Sequence, residues 1–135
     1  MRLQWLAIGL GGALGTLARH GVNVLVARRY GPATAHATLV VNLTGCGLIG
    51  VIAGLLACER VAMTPVTRSF LVVGVLGGFT TFSSFGLDTF TLARTGRVGL
   101  ACWNVAVQVV IGVGAVAGGY ALGLALGGAH TDPLP

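Results

Sequence analysis

Lysine is absent from this sequence of 135 residues, and acids are nearly so, with Glu59, Asp88 and Asp132 the only three. Eight arginines bring the charged share to only 8%, against about a quarter in a soluble domain. So few charges leave a water-soluble globule without a polar surface. Disorder is excluded by the 55% of hydrophobic residues and a mean hydropathy of +0.91, which no unfolded chain sustains in water. A net charge of +5 and a pI of about 10.1 would fit a nucleic-acid binder. The arginines, however, are scattered between long apolar runs and form no basic stripe, so no nucleic-acid partner is expected. Cysteine is scarce too: Cys46, Cys58 and Cys102 show no CxxC spacing and no clustered histidine, and read as small packing residues. What remains is a membrane protein, with the lipid bilayer as its solvent.

Four stretches carry no charged side chain: residues 3–18, 30–58, 69–87 and 98–131. A helical crossing needs about 20 predominantly apolar residues. The first stretch is short and crosses only if its helix continues through Arg19 to Val26. The expected spans are 3–26, 36–57, 69–93 and 98–125, forming a single four-helix transmembrane domain over 1–135. Arg2 followed by an apolar run also opens a signal peptide, but no A-x-A-like site closes the run and three more spans follow. The first span is therefore expected to stay. The connecting segments 27–35, 58–68 and 94–97 are too short to fold separately, and residues 130–135 read as a frayed tail.

With four spans, Arg2, Arg60 and Arg68 share one side of the membrane, while Arg28, Arg29, Arg94 and Arg97 share the other, with Arg19 leaning toward them. Three against four is almost no bias, so the positive-inside rule selects no orientation. Either other factors resolve a weak bias, or the chain inserts both ways and pairs with an inverted copy of itself.

Glycine accounts for 23 residues. Small-xxx-small spacing recurs at Gly11/Gly15, Gly50/Gly54, Gly74/Gly78, Gly114/Gly118, Gly119/Gly123 and Gly123/Gly127, which tight helix packing in lipid explains. The run from Gly74 to Phe85 is different. Gly77 and Gly78 meet Thr80, Thr81, Ser83 and Ser84 in the middle of the third span. Glycine weakens the helix there, and the hydroxyls compete for its backbone partners. The pattern predicts a break near residues 77–81, close to the bilayer midplane. Broken backbone at that depth is tolerated where protein or a water-filled site satisfies the freed groups, and transport proteins bind ions at such breaks.

Asn42 lies mid-span in the second helix with Thr38 one turn before it, and Asn104 and Gln108 form a similar i, i+4 pair in the fourth. Amides at this depth must face a partner helix or an aqueous path, as interhelical glue or as part of a permeation route. Phe82 and Phe85 share a face if the segment after the break is helical, and a ring edge carries the positive end of the quadrupole, which favours an anion. Hydroxyls at Thr80, Ser83 and Ser84 alternate with these rings, an arrangement suited to a small hard anion. Proton-coupled pumps usually carry an intramembrane carboxylate or histidine as a relay. Asp88, His20 and His36 all fall near span ends, which favours passive conduction.

The segments Gly11-Gly-Ala-Leu-Gly-Thr-Leu-Ala-Arg19, Thr38-Leu-Val-Val-Asn42-Leu-Thr-Gly45 and Gly77-Gly-Phe-Thr-Thr-Phe-Ser-Ser-Phe85 resemble the CrcB/Fluc fluoride channels, and the resemblance covers all four spans. It implies an all-α integral membrane protein in the inner cell membrane, with its third helix broken near the middle. It also implies an antiparallel, dual-topology homodimer with two pores along the subunit interface. By the same resemblance, backbone carbonyls of Gly77 and Thr80 would hold a central structural Na⁺, contributed by both subunits. Phe82 and Phe85 would line the fluoride path, Asn42 would donate to the anion, and Thr38 and Ser83 would add hydroxyls. Arg19 would be the vestibule arginine that concentrates anions. The sequence departs from the family pattern at Asn104 and Gln108, where the family carries small hydroxyls or Tyr. Milder departures are Asp88 in place of Glu, Gly86 after Phe85, and Ser84 before it. Some bacteria pair non-identical subunits of this family, so a paralogous partner is a second arrangement.

Two rivals are a small multidrug-type transporter and a structural or assembly subunit of a membrane complex. The first would need a membrane-embedded carboxylate in the first span, which has none. The second would use the polar residues only as helix glue. No nucleophile–base or metal-ligand constellation points to an enzyme.

Overall fold

A computed structural model of the chain describes residues 1–31, 35–58 and 62–128. Every regular element among the described residues is helical. Helix α1 spans Arg2–Tyr30 and α2 spans Ala35–Ala57. The third apolar segment, Pro65–Arg94, holds two helices: α3 over 65–79, and α4 over Phe82–Arg94. Helix α5 runs over Val98–Leu126. Two stretches widen to π-helical hydrogen bonding, Ser69–Leu76 in α3 and Val107–Ile111 in α5.

Helix ends follow local chemistry. Gly31, at φ 90°, closes α1 with its N–H on Ala27 O at 2.9 Å. Residues 65–68 fall in the segment read as a connector, but α3 already begins at Pro65. Thr64 Oγ1 accepts from Thr67 N–H at 3.1 Å, and Pro65 fills the first helical position, where its missing N–H costs nothing. The α4–α5 turn closes on Gly96, at φ 80°, with Arg97 N–H returning to Leu92 O at 2.9 Å. The tail read over 130–135 lies outside the described residues, as do Glu59 and Arg60.

Two pairs of helices dominate the packing, α1 along α3 and α2 along α5, and both run parallel. A Cβ on Gly11 would strike Phe70 O, and one on Gly15 would meet Phe79 N at 2.8 Å, so both chains advance together. Likewise Gly50 faces Val116 and Tyr120, and Gly54 faces Tyr120 and Gly123. Backbone approaches this close require glycine, and they are the main source of attraction between helices in lipid. Gly114 and Gly118 differ, because a Cβ at either would meet no atom within 4 Å. On α5 the close-packed glycines are Gly119 and Gly123.

The buried apolar core is thin, consisting of Ala7, Val41, Leu76, Phe79, Ala101 and Val107. Large apolar side chains such as Leu10, Leu17, Val73, Trp103 and Val110 lie exposed along the outer faces. Among the described residues, three helical segments are long and apolar enough to cross a membrane, Ala35–Ala57, Pro65–Arg94 and Val98–Leu126. With α1 beside them, the protein is a multi-pass membrane protein.

Candidate functional site

The break falls at Thr80 and Thr81. Gly77 and Gly78 stay helical, while Thr80 (φ −81°, ψ 158°) and Thr81 (φ −151°, ψ 112°) are extended. Threonine is β-branched and tolerates extended backbone well. Gly78 serves packing instead: a Cβ there would sit 2.6 Å from Gly12 O. Thr80 ends α3 by giving both its N–H (2.9 Å) and its hydroxyl (3.0 Å) to Leu76 O. Its methyl fills the space left by Gly45 on α2. Thr81 begins α4, its Oγ1 accepting from Ser84 N–H at 3.2 Å.

Asn42 on α2 brackets the break. Its Oδ1 accepts from Thr81 N–H at 2.8 Å, and its Nδ2 donates to Thr81 O at 3.1 Å. The side-chain amide thus adds a second donor to the Thr81 carbonyl, which already starts α4 as its N-cap, and replaces the helical acceptor that Thr81 N–H has lost. The same bond leaves Gly77 O without the donor that an unbroken helix would deliver four residues on. Thr80 O loses its donor similarly, because Ser84 N–H is engaged by Thr81 Oγ1.

From Asn42 a single run of hydrogen bonds crosses three helices. Asn42 Nδ2 donates to Gln108 Oε1 at 2.7 Å, and Gln108 Nε2 donates to Asn104 Oδ1 at 3.2 Å. Asn104 Nδ2 donates to Thr89 Oγ1 at 2.8 Å, whose proton goes to Phe85 O at 2.8 Å. Both ends are backbone groups, a donor at Thr81 and an acceptor at Phe85, so every amide between them has only one orientation that satisfies all five bonds. Aligned bonds of this kind polarise one another in a low dielectric.

An open cavity of about 410 Å³ adjoins this network, lined by Asn42, Thr81, Phe82, Phe85 and Gln108 among others. The Phe82 and Phe85 rings stand 5.4 Å apart, tilted by 58°. Phe82 is 82% exposed. Ser83 is exposed, its hydroxyl 3.2 Å from Thr81 Oγ1. Thr38 is buried and donates to Asp88 Oδ2 at 2.7 Å, a contact between α2 and α4 one turn from Asn42. Arg19 is half-buried on α1, one turn beyond Gly15. Asn42, Thr80, Phe82 and Phe85 therefore share one cavity with Gly77, while Thr38, one turn before Asn42, and Arg19, on α1, are not among its lining residues.

Thr81, Thr89 and Asp88 enter the site without having been singled out in the sequence as site residues. The i, i+4 spacing of Asn104 and Gln108 put them on one face of α5, but spacing alone does not say which helix that face meets.

The family description "CrcB-like protein, Camphor Resistance (CrcB)" matches residues 6–120. A protein of Nitrobacter winogradskyi named "Fluoride-specific ion channel FluC" is 45% identical over 120 residues, covering 87% of this chain and 94% of the relative. One of Paracoccus denitrificans with the same name is 44% identical over 126 residues, covering 93% and 98%. "Fluoride-specific ion channel FluC 2" of Nitrobacter hamburgensis is 41% identical over 120 residues, covering 89% and 96%.

Proposed function

This chain belongs to the CrcB-like protein family, and from that premise we propose that it is a fluoride-selective passive channel that exports F⁻ and lowers cytoplasmic fluoride. Its relatives are named as channels for this ion, and no enzymatic step enters the reading. The observation that carries it is the helix break at Thr80–Thr81, braced by Asn42 and opening on a cavity edged by Phe82 and Phe85.

The chemistry is spontaneous. HF is neutral, crosses bilayers, ionises at cytoplasmic pH and is trapped as F⁻. An inside-negative potential drives the anion outward through an open selective path, at about 2.3 kcal/mol per charge per 100 mV. Selectivity rests on replacing the tightly held hydration shell with donors of matching geometry. In this chain those donors are the Asn42 amide, the Ser83 hydroxyl and the positive ring edges of Phe82 and Phe85, while Thr38 gives its one proton to Asp88 beside them. Arg19 raises the local anion concentration.

Four crossings are the natural count. Helix α1 runs parallel to α3 from Gly11 through Gly15, backbone against backbone, so it follows α3 through the bilayer. A single chain leaves the cavity open and Phe82 largely exposed, which favours a second copy closing it. The balanced arginines fit an antiparallel homodimer, with a paralogous subunit as the other arrangement, in the inner cell membrane.

The donor set at the break suits a hard cation with oxygen ligands. Gly77 O and Thr80 O have both lost their helical donors, because Thr81 N–H and Ser84 N–H are engaged elsewhere. These carbonyls, repeated from two subunits about a two-fold axis, would hold the structural Na⁺. The ion would supply only charge to fix the two breaks together.

The test is efflux from liposomes loaded with potassium fluoride, read by a fluoride electrode with valinomycin present. Fast efflux of fluoride and none of chloride is expected. No efflux from folded, dimeric protein would shift the reading to a chain that needs a partner, or to a structural subunit.

A further inference from the structure

Asn42 has one acceptor and two donors, and all three are in use. Its Oδ1 holds Thr81 N–H at 2.8 Å, and its two N–H groups go to Thr81 O at 3.1 Å and Gln108 Oε1 at 2.7 Å. No donor is left over for an anion. A passing ion can take an Asn42 proton only from one of these two acceptors.

The two acceptors differ in how readily they yield. Thr81 O belongs to a backbone fixed on both sides, by the Leu76 cap before it and the Ser84 cap after it. Yielding there would pull Asn42 off a backbone that it also holds through Thr81 N–H. Gln108 Oε1 ends a flexible side chain that is only half-buried and lines the open cavity. Its other tie, from Nε2 to Asn104 Oδ1, is the longest bond of the network at 3.2 Å. Gln108 also lies within the π-helical turn Val107–Ile111, a local widening often found at functional positions.

Gln108 sits between two spaces as well. It lines the cavity that holds Asn42 and Phe82. Its partner Asn104 lines a second cavity of about 260 Å³ with His36, Arg97 and Trp103. The Gln108–Asn104 bond thus links the linings of the two cavities, the second of which includes Arg97.

We propose that Gln108 is a displaceable latch on Asn42: fluoride competes with Gln108 Oε1 for the Asn42 N–H, and the side chain must swing away for the anion to bind. This rests on the fluoride-channel reading. It makes Gln108 a positioning residue that sets the fluoride concentration at which transport saturates.

The test measures fluoride efflux from liposomes over a range of loading concentrations, for the wild-type chain, Gln108→Met and Gln108→Ser. Methionine keeps the length and removes the strong acceptor, while serine is too short to reach Asn42. Both variants are expected to lower the half-saturating fluoride concentration about five-fold, equivalent to about 1 kcal/mol at 1.4 kcal/mol per tenfold. Folded variants that keep the wild-type half-saturation overturn the latch and leave the channel reading standing. A wild-type chain that moves no fluoride removes both. Should Met and Ser variants lose their monodisperse form, Gln108→Glu decides the matter. A carboxylate is a stronger acceptor at the same reach, so half-saturation should rise at least five-fold, and an unchanged value overturns the proposal.

Discussion

Asn42 and Thr81 exchange two hydrogen bonds, N–H to Oδ1 at 2.8 Å and Nδ2 to carbonyl at 3.1 Å, although they lie on different helices and 39 residues apart. The side chain gives an extended residue what a neighbouring strand would give it. A break at membrane depth would otherwise leave the Thr81 N–H unpaired.

Replacing Asn42 by Ala should therefore damage the fold before it damages any ion path. The Thr81 N–H loses its acceptor and Gln108 Oε1 its donor, and each unsatisfied group costs about 1–3 kcal/mol. We expect thermal stability to fall by about 2 kcal/mol or more, with fluoride efflux lost in parallel. Asn42→Ala protein with wild-type stability would remove the bracketing role.

The position of this break was legible in the sequence, because Gly77-Gly78 followed by Thr80-Thr81 in an apolar run signals trouble for a helix. Which residues would leave the helix was not. The glycines remain helical since Gly78 packs on Gly12, and the threonines become extended since Asn42 is there to receive them. Periodicity also placed Asn104 and Gln108 on one face, but their destination depends on the register of α2 against α5. That register is set by Gly50 and Gly119 and is invisible within either helix alone. The glycine spacing overstated the contacts for the same reason, since Gly114 and Gly118 match the pattern and a Cβ at either would meet nothing within 4 Å among the described residues.

That distinction is testable. Gly50→Ala drives a Cβ into Val116 O and to 3.0 Å from Tyr120 N, separating the helices that carry Asn42 and Gln108. Overpacking of this kind costs about 1–3 kcal/mol, and efflux should fall with stability. Gly118→Ala has open space and gains helix propensity, so stability of the chain should hold or rise by up to about 1 kcal/mol. Equal losses in the two variants, compared by thermal unfolding in detergent, would refute the packing assignment.

Thr38 and Asp88 make a second α2–α4 contact at 2.7 Å. Thr38→Val removes the only proton in that bond and should destabilise the chain by about 1 kcal/mol. Asp88→Asn retains an oxygen acceptor and should keep most of the stability. Thermal midpoints of the two variants in the same detergent check the order, and a larger loss in Asp88→Asn would reverse the assignment.

Sodium should matter to stability rather than to drive. If Gly77 O and Thr80 O hold the cation, exchanging all sodium for N-methylglucamine leaves four freed carbonyls of a dimer facing one another. A ligand at about 100 times its dissociation constant stabilises by about 2.7 kcal/mol, so the thermal midpoint should drop and return when sodium is restored. Identical unfolding in the two buffers would exclude the site.

Phe82 separates a channel from a structural subunit. It is 82% exposed and tilted against Phe85 at the cavity edge, so its ring contributes little to the packing of its own chain. Isoleucine matches its apolar character but lacks the positive ring edge that an anion would meet. Aromatic geometry of this kind is worth about 0.5–1.5 kcal/mol, which at 1.4 kcal/mol per tenfold sets an upper effect of about ten-fold on flux. Phe82→Ile should therefore slow fluoride efflux by about two- to ten-fold while the protein elutes as the wild type does from a size-exclusion column. A purely structural role predicts the opposite pairing, with altered elution and no channel to slow. Normal elution together with undiminished efflux would take Phe82 off the fluoride path.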